Sequence, residues 1–253
     1  MKIEIISEGQ TEEKVCSKIV KILNIENLVP LDPDFKKKPN AESGGKDKLN
    51  ELIRTKLREI LKEQTVNFLI LRDLDSHDGE TEASILQSLT GVLQSFFAER
   101  EIQTTVNLLP HSIYPNIYML EIIDLDFRLS LHIATKKWKK DFIKSTIDDY
   151  VLELALRQAT INKLATKISI PPKRISAKIT QEIPDLLKAN ADGQNDLVEA
   201  KDYVRLYAAI LKLHTSPAVF AQKVMANANE EDIRDVFAAL ISAFEFVSSS
   251  PQA

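Results

Sequence analysis

The chain has 253 residues, of which 44% are apolar and 28% are charged, and its formal net charge is −4. This length and apolar content are enough for a substantial hydrophobic core, built as one elaborated domain or as two smaller ones. The negative net charge argues against a broadly basic surface for binding DNA. The single cysteine, Cys16, excludes a disulfide framework and a zinc site made of cysteines, and its apolar helical neighbours predict that it is buried.

The first predicted elements are a strand, a tight turn and a helix. A short β-rich run over residues 2–6 lies directly before Glu8, and Gly9 permits a sharp turn. Thr11 can cap the helix that follows, with Glu12 in its first turn. Apolar residues then recur at helical spacing: Val15, Ile19, Ile22 and Leu23.

A basic stretch with a glycine pair, residues 36–48, comes next and leads into an amphipathic helix over residues 49–61. Lysines and glycines ahead of a helix can hold a phosphate through backbone amides, and the alternative is a flexible basic loop. The spacing of a Walker A loop is missing, so this stretch does not predict nucleotide hydrolysis.

The second predicted strand is a continuous apolar run over residues 66–71, typical of a strand that is covered on both faces. It ends at Asp73, and Asp75 shares a face with Asp73. A second amphipathic helix follows over residues 85–97, and both amphipathic helices are predicted to cover the sheet. If the first two strands are parallel neighbours, their carboxyl ends bring the acids of both motifs to one edge of the sheet.

Acids gathered at one edge raise one another's proton affinity and disfavour folding unless a cation neutralises them. Mg²⁺, or Mn²⁺ in its place, takes hard oxygen ligands and is normally held by one or two carboxylates together with substrate phosphates. Two such ions about 4 Å apart can activate a water and stabilise the leaving oxygen of a phosphodiester. The acids Glu8, Glu12, Asp73 and Asp75 therefore outline a magnesium site, in which Glu8 is a ligand or a proton carrier.

Each motif has a plainer interpretation when taken alone. An acid pair after a strand, such as Asp73 and Asp75, is commonly a solvated turn. Acids in the first turn of a helix, such as Glu12, interact favourably with the helix dipole in any protein. His77, Asp78 and Glu80 follow on the same loop and are predicted to be solvated, with metal ligation as the alternative. The metal-site prediction depends on both motifs occurring together in α/β patterning.

The pair Glu8-Gly9 after one strand, with Asp73-Leu74-Asp75 after the next, resembles the Toprim domain of topoisomerases, bacterial primases and small nucleases. The longer string from Glu8 to Glu12 is similar to the nuclease half of the overcoming-lysogenization-defect (OLD) proteins and to stand-alone Toprim-like proteins of bacteria. The resemblance covers roughly the first 110 residues. It implies that Glu8, Asp73 and Asp75 are the core catalytic acids, that Glu12 is a further metal ligand, and that the protein acts in defence against phage or plasmid.

The chain also departs from that pattern. Ser7 stands where an apolar residue is common, and an ATPase head like that of the OLD proteins is not present in this sequence. The basic residue that assists phosphate cleavage in the OLD nucleases has several candidate counterparts, none of which is assigned: Lys136, Lys137, Lys167, Lys173, Arg174 and Lys178.

The remaining chain has organisation but few motifs. A third strand is predicted over residues 104–109, ended by Pro110, and residues 113–123 fit a strand or a helix. From about Lys139 onward the pattern is helical, with later helices near 196–213, 216–227 and 230–247. We predict a Toprim-like α/β domain over 1–135, with a mostly parallel sheet flanked by helices, and an all-helical region over 136–253. The helical region is a lid, a partner platform or, as its helix-rich composition favours, an elaboration packed on the sheet.

Several further features bear on metal binding, on contacts with phosphates and on the expected cellular location. The four histidines show no paired metal-ligand spacing on one helix: His77, His111, His132 and His214. Lysines 136, 137, 139 and 140 flank Trp138 and form a local patch that can meet phosphates, or simply the exposed start of a helix. The first residues suggest a strand rather than a signal peptide, and the apolar stretch 236–247 is too short to span a membrane, so we expect a cytoplasmic protein.

The predicted function is a magnesium-dependent phosphodiesterase that acts on DNA or RNA. Two alternatives stay open. One is a Toprim-derived binding or regulatory module that keeps the acids but contacts a protein partner through the helical region. The other is a nucleotidyl-transfer enzyme.

Overall fold

The structure is a computed structural model, and it describes residues 2–29, 45–63, 66–167, 170–189, 197–213 and 215–249. Most of the basic stretch 36–48 and His214 lie outside the described residues. No helix among the residues described is long and apolar enough to cross a membrane.

The described strands form one mixed sheet with the order β1-β2-β5-β4-β3. Their bounds are β1 Lys2–Ile6, β2 Val66–Asp73, β3 Leu109–Pro110, β4 Ile117–Ile122 and β5 Phe127–Ala134. The first two strands are parallel neighbours, with Ile6 opposite Ile70, which confirms the predicted pairing. β5 continues the parallel set on the other side of β2, whereas β4 and β3 add antiparallel edges.

Helices account for most of the other described residues. Their bounds are α1 Gln10–Leu23, α2 Gly45–Glu63, α3 Glu82–Glu99, α4 Ile147–Leu156, α5 Gln158–Leu164, α6 Pro172–Ala177, α7 Ile183–Ala189, α8 Ala200–Ile210, α9 Pro217–Asn227, α10 Glu230–Val236 and α11 Ala238–Ser248. The helices predicted after Gly9, over 49–61, over 85–97 and near 216–227 are confirmed by α1, α2, α3 and α9. The helix predicted near 230–247 is instead interrupted at Phe237, between α10 and α11.

The sheet is covered on both faces, as the apolar run in β2 predicts. Phe68 and Ile70 pack into a core with α2 and α3. Leu69 and Leu71 face the opposite side, into a larger core with α1, α4, α8, α9 and α11. Strand residues alternate between the two faces, so both cores are anchored on the same central strand.

The strand prediction over residues 104–109 is wrong, because only Leu109 and Pro110 pair with β4. β5, which runs through the middle of the sheet, was not predicted, since Arg128, Ser130 and His132 interrupt its apolar pattern. All three are buried. The burial of Arg128 is possible because its guanidinium bonds to Glu121 and to the last carbonyls of α11, including that of Ser249.

The segment after β5 also differs from its prediction. Helical structure begins at Ile147 rather than near Lys139, and residues 135–146 form an irregular connection. Within it, Ser145 pairs with Leu74 through two backbone hydrogen bonds of 2.9 Å. This bridge holds the start of α4 against the end of β2. Cys16 is buried, as predicted.

Candidate functional site

The turn between β1 and α1 places a carboxylate over a glycine. Gly9 precedes the helix in an extended conformation (φ −142°, ψ 177°), so a left-handed turn is not what requires glycine there. A Cβ atom at this position would lie 2.9 Å from Oε2 of Glu12. Gly9 therefore provides the space that the Glu12 carboxylate occupies. Thr11 does not cap the helix as predicted, and its side chain instead hydrogen-bonds Asp148.

The end of β2 meets the start of α4. Asp73 is the last residue of β2, and its Oδ1 accepts a hydrogen bond of 3.1 Å from the backbone N–H of Ile147. The adjoining bridge between Leu74 and Ser145 fixes this contact. Asp148, the next residue of α4, is consequently held beside the two predicted motifs.

The electrostatics show that these acids act on one another. Burial is the main cause that raises the pKa of Glu12 to about 7, and the charges of Asp148 and Glu8 contribute to the rise. Burial of the carboxyl group also raises the pKa of Asp73 well above its usual range, with further contributions from Glu12, Glu8 and Asp148. The structure thus brings Glu8, Glu12 and Asp73 together, as the sequence predicts for the edge of a parallel sheet.

Asp148 is a member of this cluster that sequence reasoning missed. Only 7% of the residue is exposed, and its Oδ1 has no hydrogen-bond partner among the residues that the structure describes. Burial raises the pKa of Asp148 to about 6, although the charge of Lys201 opposes the shift. In the sequence it precedes Asp149, which forms a capping box with Thr146, so it has the appearance of an ordinary acid in a first helical turn.

Glu8 is held by a buried arginine. Its Oε1 lies 2.5 Å from Nε of Arg72, of which 7% is exposed. The same guanidinium contacts Oε1 of Glu80 at 3.1 Å, and Oε2 of Glu80 accepts a hydrogen bond from the backbone N–H of Asp75. Glu80 is therefore a fixed part of the site rather than the solvated residue that the sequence predicts. Arg72 and Glu80 together fix Glu8 and the loop after β2.

Asp75 lies on the loop directly after β2, and Glu80 holds its backbone N–H. Its charge is not among the main causes that raise the pKa of Glu12 or Asp73. Its charge acts instead on Lys144, whose Nζ lies 2.6 Å from Oε2 of Glu199. Burial lowers the pKa of Lys144, but Glu199, Asp75 and Asp73 outweigh it and raise the value overall.

The candidate basic residues from the sequence do not include Lys144. Lys136 forms an ion pair with Glu153, and Nζ of Lys137 donates to the carbonyl of Phe142 at 2.6 Å and to Ser76 Oγ. The side chain of Lys167 lies outside the described residues. The remaining candidates belong to α6 and the helical turn after it: Lys173, Arg174 and Lys178. Lys144 interacts with the charges of both Asp73 and Asp75.

Within the described part of the chain, no group of three or more His, Cys, Asp or Glu side chains is arranged to hold a metal ion. Two of the clustered acids are already engaged by protein donors, Glu8 by Arg72 and Asp73 by the amide of Ile147. The donor chemistry nevertheless suits Mg²⁺, because the cluster offers only carboxylate oxygens and one of them, Asp148 Oδ1, is buried without a partner. Mg²⁺ needs only one or two protein carboxylates and completes its shell with waters and phosphate oxygens.

Comparisons with known proteins do not assign the site. A scan against protein-family models, a search of curated proteins and a search of solved structures each found no match to this chain. What the protein does is therefore inferred from its own residues.

Proposed function

We propose that this protein is a magnesium-dependent phosphodiesterase that cleaves DNA or RNA, built on a Toprim-like domain with a helical C-terminal region. The observation that carries the proposal is the meeting of carboxylates from three separate segments at one edge of the sheet. Glu8 and Glu12 come from the end of β1 and the start of α1, Asp73 from the end of β2, and Asp148 from the start of α4.

The cluster is costly to the folded protein when its acids are ionised. For Glu12 alone, a pKa of about 7 against the ordinary 4.5 corresponds to about 3 kcal/mol above pH 7. Strongly perturbed pKa values cluster at functional sites, where the perturbation serves binding or catalysis. A divalent cation relieves the repulsion and offers a reason for keeping the acids together.

Each residue has a role that its contacts support. Asp148, whose Oδ1 is buried without a hydrogen-bond partner among the described residues, would hold the metal together with Asp73 or Glu12, and bound Mg²⁺ would lower the pKa of a water and stabilise negative charge on the phosphate. Arg72 keeps Glu8 at the margin of the cluster, where it serves as ligand or proton carrier. The amide of Ile147 orients Asp73. Lys144 provides a positive charge beside Asp73 and Asp75, which lowers the repulsion felt by an approaching phosphate.

The Toprim resemblance supports this assignment through position. Glu8-Gly9 follows β1, and Asp73-Leu74-Asp75 follows the adjacent parallel strand, which is the arrangement that the resemblance implies. A role in defence against mobile genetic elements rests on the resemblance alone.

Cleavage of labelled single-stranded and double-stranded DNA and RNA, with Mg²⁺ or Mn²⁺, tests the proposal. We expect metal-dependent cleavage by the wild type and a loss of at least about 100-fold in Asp73→Asn and Glu12→Gln, since each removes a charge from the cluster. Asp78→Asn is the matched control, because Asp78 is exposed on the loop directly after the site. It should cleave like the wild type.

The outcome that contradicts the nuclease is equally specific. A folded wild type that cleaves none of the four substrates, and whose melting temperature does not respond to Mg²⁺ or Mn²⁺, is not a metal-dependent phosphodiesterase. That result favours the binding or regulatory module.

A further inference from the structure

One segment of this acidic chain is strongly basic. Residues 154–181 contain six lysines and arginines and no aspartate or glutamate. Because the whole chain has a formal charge of −4, the other 225 residues carry −10. Solvated helical surfaces normally mix both signs, since like charges at neighbouring positions destabilise a helix. A run of a single sign is therefore unusual enough to need a reason.

The fold turns apolar residues of this segment inward and leaves three of its six charges exposed. Ile161, Ile175 and Ile179 are buried in the helical core. Lys163 on α5 and the adjacent pair Lys173 and Arg174 on α6 are exposed. We call the outward surface of α5 and α6, with these three cations, the basic face.

Partners within the protein neutralise only part of this charge. Arg157 pairs with Asp235 at 2.5 Å, and Lys178 pairs with Glu182 at 3.1 Å. Lys163 donates to the neutral side-chain oxygen of Asn229 and forms no ion pair with a residue that the structure describes. Lys173 and Arg174 form no ion pair with any described residue, so the basic face retains its positive charge.

The composition of the segment indicates the kind of partner. No Phe, Trp or Tyr occurs in residues 154–181, so stacking on unpaired bases, the usual mode for single strands, is not available there. Large apolar side chains are not exposed in the described part of the segment, which disfavours insertion into a membrane. Lysine and arginine without aromatic neighbours suit the phosphate backbone of a duplex.

The basic face follows the candidate site along the chain, one helix away. α4 starts at the acid cluster, and α5 begins two residues after α4 ends. Ten helical residues span about 15 Å, the length of roughly four to five base pairs of duplex. A duplex held by its backbone on the basic face would thus be within reach of the acids.

We infer that the basic face on α5 and α6 binds the phosphate backbone of a nucleic-acid duplex without regard to sequence, and so delivers substrate to the acid cluster. The inference deepens the proposed function and rests on it for the identity of the substrate. Binding and cleavage depend on different residues, so each can fail while the other stands.

The test is fluorescence anisotropy with a labelled 20-base-pair DNA duplex in EDTA, over a range of salt concentrations. The probe variant is the double substitution Lys173→Gln and Arg174→Gln. The matched control is Arg58→Gln with Arg100→Gln, two exposed arginines on α2 and after α3, on the opposite face of the sheet. All proteins are first compared by circular dichroism and melting temperature.

We expect the wild type to bind with a strong salt dependence. The probe variant should lose about 1.8 from the slope of log K against log salt, and about tenfold or more in affinity at 100 mM salt, because two phosphate contacts are removed. The control variant should retain the wild-type slope.

Three results would overturn the inference: equal binding by wild type and probe variant, equal losses in both double variants, or binding to vesicles of anionic lipid with none to the duplex. Asp73→Asn separates the two ideas. If it binds the duplex like the wild type while cleavage is absent even from the wild type, the basic face stands and the nuclease does not. If the wild type cleaves and the probe variant binds the duplex like the wild type, the nuclease stands and the basic face does not.

Discussion

Replacing Glu12 by glutamine should stabilise the metal-free protein at alkaline pH. The side chain keeps its size but loses its charge, and Glu12 is 5% exposed within the cluster. Burial, with the charges of Asp148 and Glu8, raises the pKa of Glu12 from 4.5 to about 7 in the folded protein. Below pH 4.5 Glu12 is protonated in the folded and unfolded states alike, so it does not affect stability; the cost grows between pH 4.5 and 7 and levels off above pH 7.

The magnitude follows from that shift. A difference of about 2.5 units corresponds to about 3 kcal/mol at pH 8. For a chain of this length, 1 kcal/mol moves the melting temperature by about 2–4 °C, so Glu12→Gln should melt about 6–12 °C higher in EDTA at pH 8. The gain should disappear near pH 4.5. Mg²⁺ should stabilise the wild type at pH 8 but stabilise the variant much less.

Thermal and urea unfolding in EDTA at pH 8 and pH 4.5 measure both effects. Glu26→Gln, which removes the same charge from an exposed position, is the control and should change stability little at either pH. The reasoning is refuted if Glu12→Gln destabilises the protein at pH 8, or if its gain is as large at pH 4.5 as at pH 8.

Three further predictions concern Gly9 beside the site and two buried residues of β5. Gly9→Ala places a Cβ 2.9 Å from Glu12 Oε2 and should raise the Mg²⁺ concentration needed for cleavage about tenfold, whereas Gly91→Ala, which meets nothing within 4 Å, should not. Burial lowers the pKa of His132 to about 4, so protonation of this histidine in the unfolded chain should lower stability by up to about 3 kcal/mol as the pH falls from 6.5 to 4. In His132→Phe, urea unfolding over this pH range should no longer show that dependence of stability on pH. Arg128→Met should lower the free energy of unfolding by about 3 kcal/mol, because Glu121 and the carbonyl of Ser249 after α11 lose their buried partner. Cleavage at low temperature should persist. An unchanged midpoint in urea would contradict this prediction.

The local elements at the start of the chain could be predicted because their signals are short and strong. The apolar runs of β1 and β2 end directly at Glu8 and Asp73, and the parallel pairing of the two strands follows from the α/β pattern. β5 could not be predicted, since its polar residues are buried through partners elsewhere in the chain. Arg128, for example, is satisfied by residues of β4 and α11.

The residues of the candidate site likewise divide into those that the sequence predicts and those that it does not. Glu8, Glu12 and Asp73 belong to recognisable motifs, and the structure places them together. Asp148 and Lys144 join the site only because Leu74 pairs with Ser145, more than 70 residues away, which holds the start of α4 against β2. A pairing of two backbone segments leaves no mark in either sequence, so these residues could not have been identified from the sequence alone.

Direct binding of Mn²⁺, followed by the electron paramagnetic resonance signal of the free ion at pH 7.5, tests the central claim that the acid cluster is a divalent metal site. The wild type and Asp78→Asn are predicted to remove free Mn²⁺ from solution with the same affinity, and Asp73→Asn is predicted to bind at least about tenfold more weakly, because Asp73 lies among Glu8, Glu12 and Asp148. Equal binding by wild type and Asp73→Asn, or no binding by the wild type even with a nucleic-acid duplex present, would contradict the claim.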